Sequence, residues 1–339
     1  MSMSLFRTAT AICAVGLVAA ATPASAAGSG FDSLFVFGDS LSDAQGGNSV
    51  PVAPNQGGLL IPAPYDDGRV SNGPVAAEYL GGLLGLSRAQ QFQYAVAGAR
   101  SGTTGEIPGV GTVLTGLKTQ VGAFAAGGPN AAYGGGLFLV WAGANDLRDA
   151  LVAAAAPGGG PSPIDSFAGI LDNLQWSVSG LYALGARNFL LPNLPNLGLT
   201  PASQALGTQA MEGASGVTWL FNAAYAGAVQ GWQASMADAQ FYTYDTFNAH
   251  NQLFMAGGFS NLSNGCLVPV AGAAQAQSAC SESFYVDDIH PTTSVHLVLA
   301  QGMAAAVPEP ETLLMMAGGL LALLGVARRR QGGAADSAA

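Results

Sequence analysis

Residues 34–43 read LFVFGDSLSD, an apolar run that breaks abruptly into Gly-Asp-Ser and a polar loop. This pattern predicts a buried strand over residues 34–37 and a tight turn that presents the Ser40 hydroxyl at the carboxyl end of the strand. Ligands bind at that end of open α/β sheets, and a serine held on such a turn can be a nucleophile. Gly-Asp-Ser is also common in turns and helix caps, so the stretch alone favours a structural role.

Four more apolar runs follow and alternate with segments of helical spacing. The alternation predicts one α/β domain, a doubly wound, mostly parallel five-stranded sheet flanked by helices in three α/β/α layers. The Asn72 side chain is predicted to cap the first helix. Strands are predicted at 34–37, 92–96, 137–141, 188–191 and 241–244, and helices at 75–84, 117–126, 147–154, 166–184 and 217–236, with a last helix after Pro291.

Polar groups and glycines follow the other predicted strands. Gly98 comes just after the second strand, where a glycine lets backbone N–H groups approach a ligand closely. Asn145 comes just after the third strand. Asp287 lies three residues before His290, the spacing of an acid that orients an imidazole. Each feature alone is more typical of an ordinary loop or turn.

Taken together, these blocks resemble the SGNH/GDSL family of serine hydrolases, in its secreted lipase and esterase branch. The similarity covers nearly the whole chain between the two termini. The resemblance implies a flavodoxin-like SGNH-hydrolase fold, and no G-x-S-x-G elbow is present, which argues against the α/β-hydrolase fold. The matching blocks are residues 38–43 (GDSLSD), 94–99 (YAVAGA), 143–146 (GAND) and 287–292 (DDIHPT), with lesser agreement at 68–74 and 191–194.

The resemblance also implies the roles of the site residues. Ser40 would be the nucleophile, His290 its general base, and Asp287 the acid that orients His290. The backbone N–H groups of Ser40 and Gly98 and the side-chain amide of Asn145 would form the oxyanion hole. A serine hydroxyl needs an adjacent base, and a tetrahedral oxyanion needs donors fixed around it, so the chemistry agrees with the assignment.

Several neighbouring residues are predicted to have no catalytic role. Asp288 is expected to be solvated or to bind nearby backbone N–H groups. His250 is placed in the loop after the fifth strand and His296 on the last helix. Tyr285 and Val286 replace the aromatic pair often found before the family's aspartate. The family pattern therefore does not predict how these two side chains pack.

The predicted activity is the hydrolysis of carboxylic esters through an acyl-enzyme. The alternative is a surface or extracellular-matrix binding protein that retains the hydrolase fold without turnover. No cofactor and no metal are expected, because the chain has no C-x-x-C, H-E-x-x-H or phosphate-loop pattern. The glycine-rich loops at 44–64 and 102–116 are candidate walls of the substrate site, but they do not identify the ester.

Both ends of the chain carry targeting signals. Residues 1–26 have a basic start, an apolar core and an Ala-Ser-Ala cleavage site, which predicts a signal peptide removed by signal peptidase after Ala26. Residues 307–330 hold Pro-Glu-Pro, a short apolar helix and three arginines, and they resemble the PEP-CTERM sorting signal. The resemblance implies transient membrane contact and removal by an exosortase-type protease, with a permanent tail anchor as the alternative. The hydrolase domain is then 27–306, with a tail at 331–339.

The net charge and the cysteine content limit which partners and which cellular location are expected. The formal net charge of −10 disfavours nucleic acid and anionic lipid as partners. The expected location is the cell surface or the surroundings of a Gram-negative bacterium. In an exported protein, Cys266 and Cys280 most simply form one disulfide, with two buried thiols as the alternative.

Overall fold

The computed structural model of the protein describes residues 30–44, 50–51, 65–107, 109–267 and 280–307. The predicted signal peptide, most of the predicted 44–64 loop and the apolar C-terminal segment lie outside these ranges. Within them, no helix combines the length and the hydrophobicity needed to cross a membrane.

Eight strands and eight α-helices make up the described fold. The strands are β1 Leu34–Gly38, β2 Val50–Pro51, β3 Gln91–Gln93, β4 Gly105–Ile107, β5 Gly111–Val113, β6 Leu137–Trp141, β7 Asn188–Pro192 and β8 Gln240–Tyr244. The helices are α1 Ala76–Leu83, α2 Leu117–Ala125, α3 Ala144–Ala155, α4 Phe167–Leu184, α5 Pro201–Ala205, α6 Thr208–Ser235, α7 Thr246–Met255 and α8 Thr293–Ala306.

The central sheet is parallel throughout and has the order β2-β3-β1-β6-β7-β8. The predicted doubly wound parallel sheet is confirmed, and the two-residue strand β2 adds a sixth member at the edge. The chain order of the strands reverses between β1 and β6, so their carboxyl ends flank the crevice where ligands bind in folds of this kind. Ser40 follows β1, and Asn145 follows β6.

The two faces of the sheet bury alternate side chains of β1, as the period of a strand requires. Phe35 and Phe37 face a core built from α2, α4 and α6, where aromatic rings stack against Phe138. Leu34 and Val36 face a second core that α1 and α8 cover. This gives the three layers that the apolar pattern predicts.

Some predicted boundaries were wrong. The predicted strand at 92–96 is regular as β3 only to Gln93, because the N–H groups of Tyr94 and Ala95 then share the Val36 carbonyl and break the regular pattern of the strand pair. Helix α6 starts at Thr208, nine residues before the prediction, in a stretch whose glycines have low helix propensity. The 102–116 loop contains the antiparallel β4–β5 hairpin.

Two predicted positions also need correction. Asn72 does not cap α1, whose first flanking residue is Val75. The Asn72 side chain instead accepts a 2.9 Å hydrogen bond from the backbone N–H of Thr293, at the start of α8. His250 lies in helix α7 and not in a loop, because Asp245 caps that helix directly after β8.

Candidate active site

The Ser40 turn is fixed by a glycine and a buried glutamine. Gly38 has φ +151°, and a Cβ there would lie 2.1 Å from the Trp141 carbonyl oxygen, so only glycine lets β1 end this close to β6. The Gln120 amide accepts from Gly38 N at 2.9 Å and donates to Gly38 O at 2.8 Å. The backbone is therefore held on both sides of the residue that precedes the Asp39-Ser40 turn.

Three of the predicted site residues form one chain of contacts. Ser40 Oγ lies 2.8 Å from His290 Nε2, and His290 Nδ1 lies 2.7 Å from Asp287 Oδ2. Ser40 is buried, while His290 and Asp287 are partly buried. The structure brings together side chains that are 250 positions apart along the chain.

The Asp287 carboxylate has donors on both oxygens. Its Oδ1 accepts from the backbone N–H groups of Ile289, at 2.9 Å, and His290, at 2.7 Å. Its Oδ2 accepts from the Tyr65 hydroxyl at 2.7 Å. Burial alone would raise the pKa of Asp287, but the His290 imidazole and the two backbone donors outweigh it and hold the pKa below its usual range. Asp288 is exposed, and its carbonyl accepts from Ala202 N at 2.9 Å.

The loop that carries Gly98 is shaped by glycine and tied to the Ser40 turn. Gly98 has φ +75°, and a Cβ there would lie 1.9 Å from the Glu106 carbonyl oxygen. Asp43, at the end of the GDSLSD block, accepts from Ala97 N at 2.7 Å. Within the described part of the chain, the backbone N–H groups of Ser40 and Gly98 have no acceptor.

Asn145 is the second residue of α3 and is buried. Its Nδ2 donates to the Ala99 carbonyl at 2.9 Å, which fixes the plane of the amide and leaves the second N–H of the same nitrogen for another acceptor. The next residue, Asp146, accepts from the backbone and the hydroxyl of Ser101 at 2.8 and 2.7 Å. The Gly98 loop and the start of α3 are thus bonded to each other at two places.

A cavity of about 440 Å³ opens from this site. Ser40, Asn145 and His290 line it, together with Asp39. Most of its other lining residues are apolar, and they come from α3, α5, α6, α8 and the loops between the strands and these helices. The described residues contain no group of three or more His, Cys, Asp or Glu side chains that could hold a metal ion.

The sequence model of the GDSL-like Lipase/Acylhydrolase family matches residues 34–303. The chain belongs to this family. The GDSL protein is therefore an enzyme of the esterase and lipase class, which acts on ester bonds. A second match, to the PEP-CTERM protein-sorting motif, covers residues 306–331 and indicates export to the cell surface or the exterior, as is typical of Gram-negative bacteria.

Similar proteins include enzymes of related activity. Phosphatidylcholine-sterol acyltransferase of Aeromonas hydrophila is 25% identical over 344 residues, an alignment that covers 87% of this chain and 96% of that protein. Among solved structures, the acetylxylan esterase Axe2 of Geobacillus stearothermophilus is 13% identical, with 83% of this chain and 95% of that chain covered and a TM-score of 0.41. An extracellular lipase of Streptomyces rimosus is 16% identical, with 80% and 99% covered and a TM-score of 0.39.

The other two histidines of the GDSL hydrolase have structural contacts. His250 Nε2 bonds the Tyr285 hydroxyl at 2.9 Å, and that hydroxyl also donates to the Leu199 carbonyl. His296 Nδ1 accepts from Ala76 N at 3.2 Å, at the start of α1. Burial lowers the pKa of His250 to about 4 and that of His296 to about 3. Tyr285 is itself buried, so the departure from the family's aromatic pair is accommodated by packing.

The segment that leads to Asp287 is held by a disulfide in this GDSL hydrolase. Cys266 and Cys280 are bonded, with their Cα atoms 5.3 Å apart, and the predicted pairing is confirmed. Cys266 N donates to the Tyr285 carbonyl at 3.1 Å. The disulfide therefore fixes the chain two residues before Asp287.

Sequence reasoning did not find every residue of the site. Tyr65 carries no motif and lies 222 positions from the Asp287 that it contacts. The sequence assigns Asp39 no role beyond the turn. Burial raises the pKa of Asp39 to about 6, against the opposing effect of the hydrogen bond from the N–H of Leu41. Its position directly before Ser40, in the matching block, was the only signal for it.

Proposed function

We propose that the protein hydrolyses carboxylic esters through an acyl-enzyme formed on Ser40. The observation that supports this most directly is the unbroken chain of contacts from Ser40 Oγ through the His290 ring to Asp287. A weakly acidic hydroxyl becomes a nucleophile when a base lies within hydrogen-bond reach and a third group orients that base. Two contacts support the proposal on these two conditions, Ser40 Oγ to His290 Nε2 at 2.8 Å and His290 Nδ1 to Asp287 Oδ2 at 2.7 Å.

The reaction has two halves. Ser40 Oγ attacks the ester carbonyl carbon while His290 Nε2 takes the hydroxyl proton. The tetrahedral oxyanion accepts hydrogen bonds from Ser40 N, Gly98 N and Asn145 Nδ2. Its collapse breaks the bond to the alcohol oxygen, which leaves with the proton from His290. Water then attacks the acyl-enzyme with His290 as base, and the carboxylic acid departs.

Asp287 acts on the imidazole throughout this cycle. It accepts from Nδ1–H, which leaves Nε2 free to take the serine proton, and its negative charge stabilises the imidazolium. The lowered pKa of Asp287 supports this role, because the carboxylate stays ionised at neutral pH.

Labelling with a fluorophosphonate probe tests the proposal. The wild-type chain should be labelled and should hydrolyse p-nitrophenyl acetate, and Ser40→Ala should do neither. Ser42→Ala is the matched control, because Ser42 is a buried serine on the same turn and should keep both properties. A folded wild-type protein that is neither labelled nor active would support the alternative, a binding protein with this fold.

Acyl transfer differs from hydrolysis only in the nucleophile that takes the acyl group from Ser40. The Aeromonas relative is named an acyltransferase, so alcohols should be tested as acceptors of the acyl group. Product analysis in the presence of added alcohol separates the free acid from the transferred ester.

We infer that export proceeds with processing at both ends. Signal peptidase would cut after Ala26, and an exosortase-type protease would remove the C-terminal signal after a transient stay of its apolar segment in the membrane. Mass spectrometry of the protein from the native cell surface should find neither end. Peptides from residues 331–339 in that material would contradict the C-terminal cut.

A further inference from the structure

The lining of the cavity beside Ser40 is mostly apolar. Its polar members are Asp39, Ser40, Asn145, Arg148, Thr200, Ser203, His250, Tyr285 and His290. The wall from α3 includes Leu151, Val152 and Ala155, and α6 adds Ala210, Gly213 and Val217. A ligand that reacts at Ser40 and fills the cavity therefore has a largely apolar body.

The size of the cavity far exceeds an acetyl group. A volume of about 440 Å³ lies within the range of cavities that enclose whole small-molecule ligands. Two of the lining side chains, Val152 and Leu206, are 66% and 73% exposed. The apolar part of the lining thus reaches the solvent at these two side chains.

We propose that this cavity binds the acyl chain of the substrate, and that the substrate is an ester of a medium- or long-chain fatty acid. This deepens the proposed esterase activity and presupposes it. Each methylene that moves from water into an apolar environment contributes favourably to binding, so the cavity discriminates by chain length.

The acyl chain fits the cavity better than the alcohol does. The alcohol must leave and water must enter between the two half-reactions, while the acyl chain stays covalently attached to Ser40 until the second half ends. An apolar cavity joined to the nucleophile is therefore filled in both halves only by the acyl chain. The alcohol needs an exit to solvent instead.

The small residues on α6 keep the cavity open. Gly213 lines it, and a Cβ built at Gly213 would meet no atom within 4 Å. Gly213→Leu therefore adds a side chain in the cavity without a clash, and it replaces glycine by a better helix former. Gly227 is the matched control, because it is another glycine of α6 with no atom within 4 Å of such a Cβ and does not line the cavity.

The test is a profile of kcat/KM over p-nitrophenyl acetate, butyrate, octanoate and palmitate. For the wild type we expect kcat/KM to rise at least tenfold from acetate to octanoate. Full burial of a single methylene would by itself raise kcat/KM about fourfold. Gly213→Leu should lower the octanoate and palmitate values by roughly tenfold and leave acetate within about threefold, since its side chain replaces several buried methylenes. Ala210→Leu, on the same wall, should act likewise, and Gly227→Leu should match the wild type.

A second series holds the acyl group as acetate and lengthens the alcohol. A flat response is expected. A steep rise in this series, or a flat or falling acyl series in a wild type that is active on acetate, would overturn the assignment of the acyl chain. If the wild type cleaves no ester at all, the proposed activity itself fails, and that result is distinct from either outcome.

Discussion

The hydroxyl of Tyr65 and the Nδ1 of His290 bond the same oxygen of Asp287, each at 2.7 Å. Burial and the neighbouring carboxylate raise the pKa of the Tyr65 hydroxyl, so it remains a donor at neutral pH. Tyr65 also packs against the cluster that contains the disulfide. The acid of the proposed triad is thus fixed from a part of the chain that contains no motif.

Tyr65→Phe keeps the ring and removes this donor. Without this donor the Asp287 carboxylate is held less firmly towards His290 Nδ1, so we expect kcat to fall by roughly three- to tenfold with KM unchanged, a loss near 1 kcal/mol. Tyr182→Phe, which removes a tyrosine–aspartate bond far from the site, is the control. A lower Tm with unchanged kcat and KM would show that Tyr65 only stabilises the fold.

Asn145→Ala removes a donor whose orientation the Ala99 carbonyl fixes. Loss of one such oxyanion-hole donor costs about 10²–10³ in kcat, and we expect that loss with little change in KM. Steady-state kinetics give both numbers. Asn188→Ala, which removes a bond to the Gly134 carbonyl near the opposite ends of the strands, should leave kcat close to the wild type. A raised KM with normal kcat for Asn145→Ala would make it a ground-state binding residue.

The adjacent acids Asp287 and Asp288 should differ sharply. Asp287→Asn keeps the shape but favours the wrong imidazole tautomer, and we expect kcat to fall by about 10²–10⁴. Asp288→Asn should stay within a few-fold of the wild type, because the Asp288 side chain is exposed. Both variants are measured side by side, with Tm as the check on folding. If Asp288→Asn lost much more kcat than Asp287→Asn, Asp287 would not be the acid of the triad.

The stability of the fold should fall in acid through His296. Its pKa is about 3 in the folded protein and 6.5 in the unfolded chain, so between these values the unfolded state binds more protons. The free energy of unfolding therefore decreases as pH falls, by at most about 1.4 kcal/mol per pH unit from this group. His250 adds to the slope above pH 4, and Asp39, with a raised pKa of about 6, opposes it.

Urea unfolding of the wild type and His296→Gln from pH 7 to pH 4 isolates the contribution of His296. The variant should show the shallower dependence on pH below 6.5, whatever its absolute stability. Parallel lines for the two proteins would mean that His296 does not titrate as described.

The sequence was most informative where strands end. Ser40 follows a continuous apolar run, so both the buried strand and the turn after it could be predicted, and the family blocks added Asp287 and His290. The contacts that hold those groups could not be predicted, because Tyr65 and Gln120 reach the site through tertiary packing and have no local pattern. The start of α6 was missed for a related reason. Gly213 and Gly216 weaken local helix propensity there, and packing of the helix against the core outweighs it.

Val307 is the first residue after α8, and its side chain is buried in the core beneath that helix. The match to the sorting motif begins one residue earlier, at 306, so the sorting motif overlaps the last residue of α8. A cut on the amino side of Val307 would strip a buried side chain from the enzyme that it releases, so we expect the cut to fall after Val307.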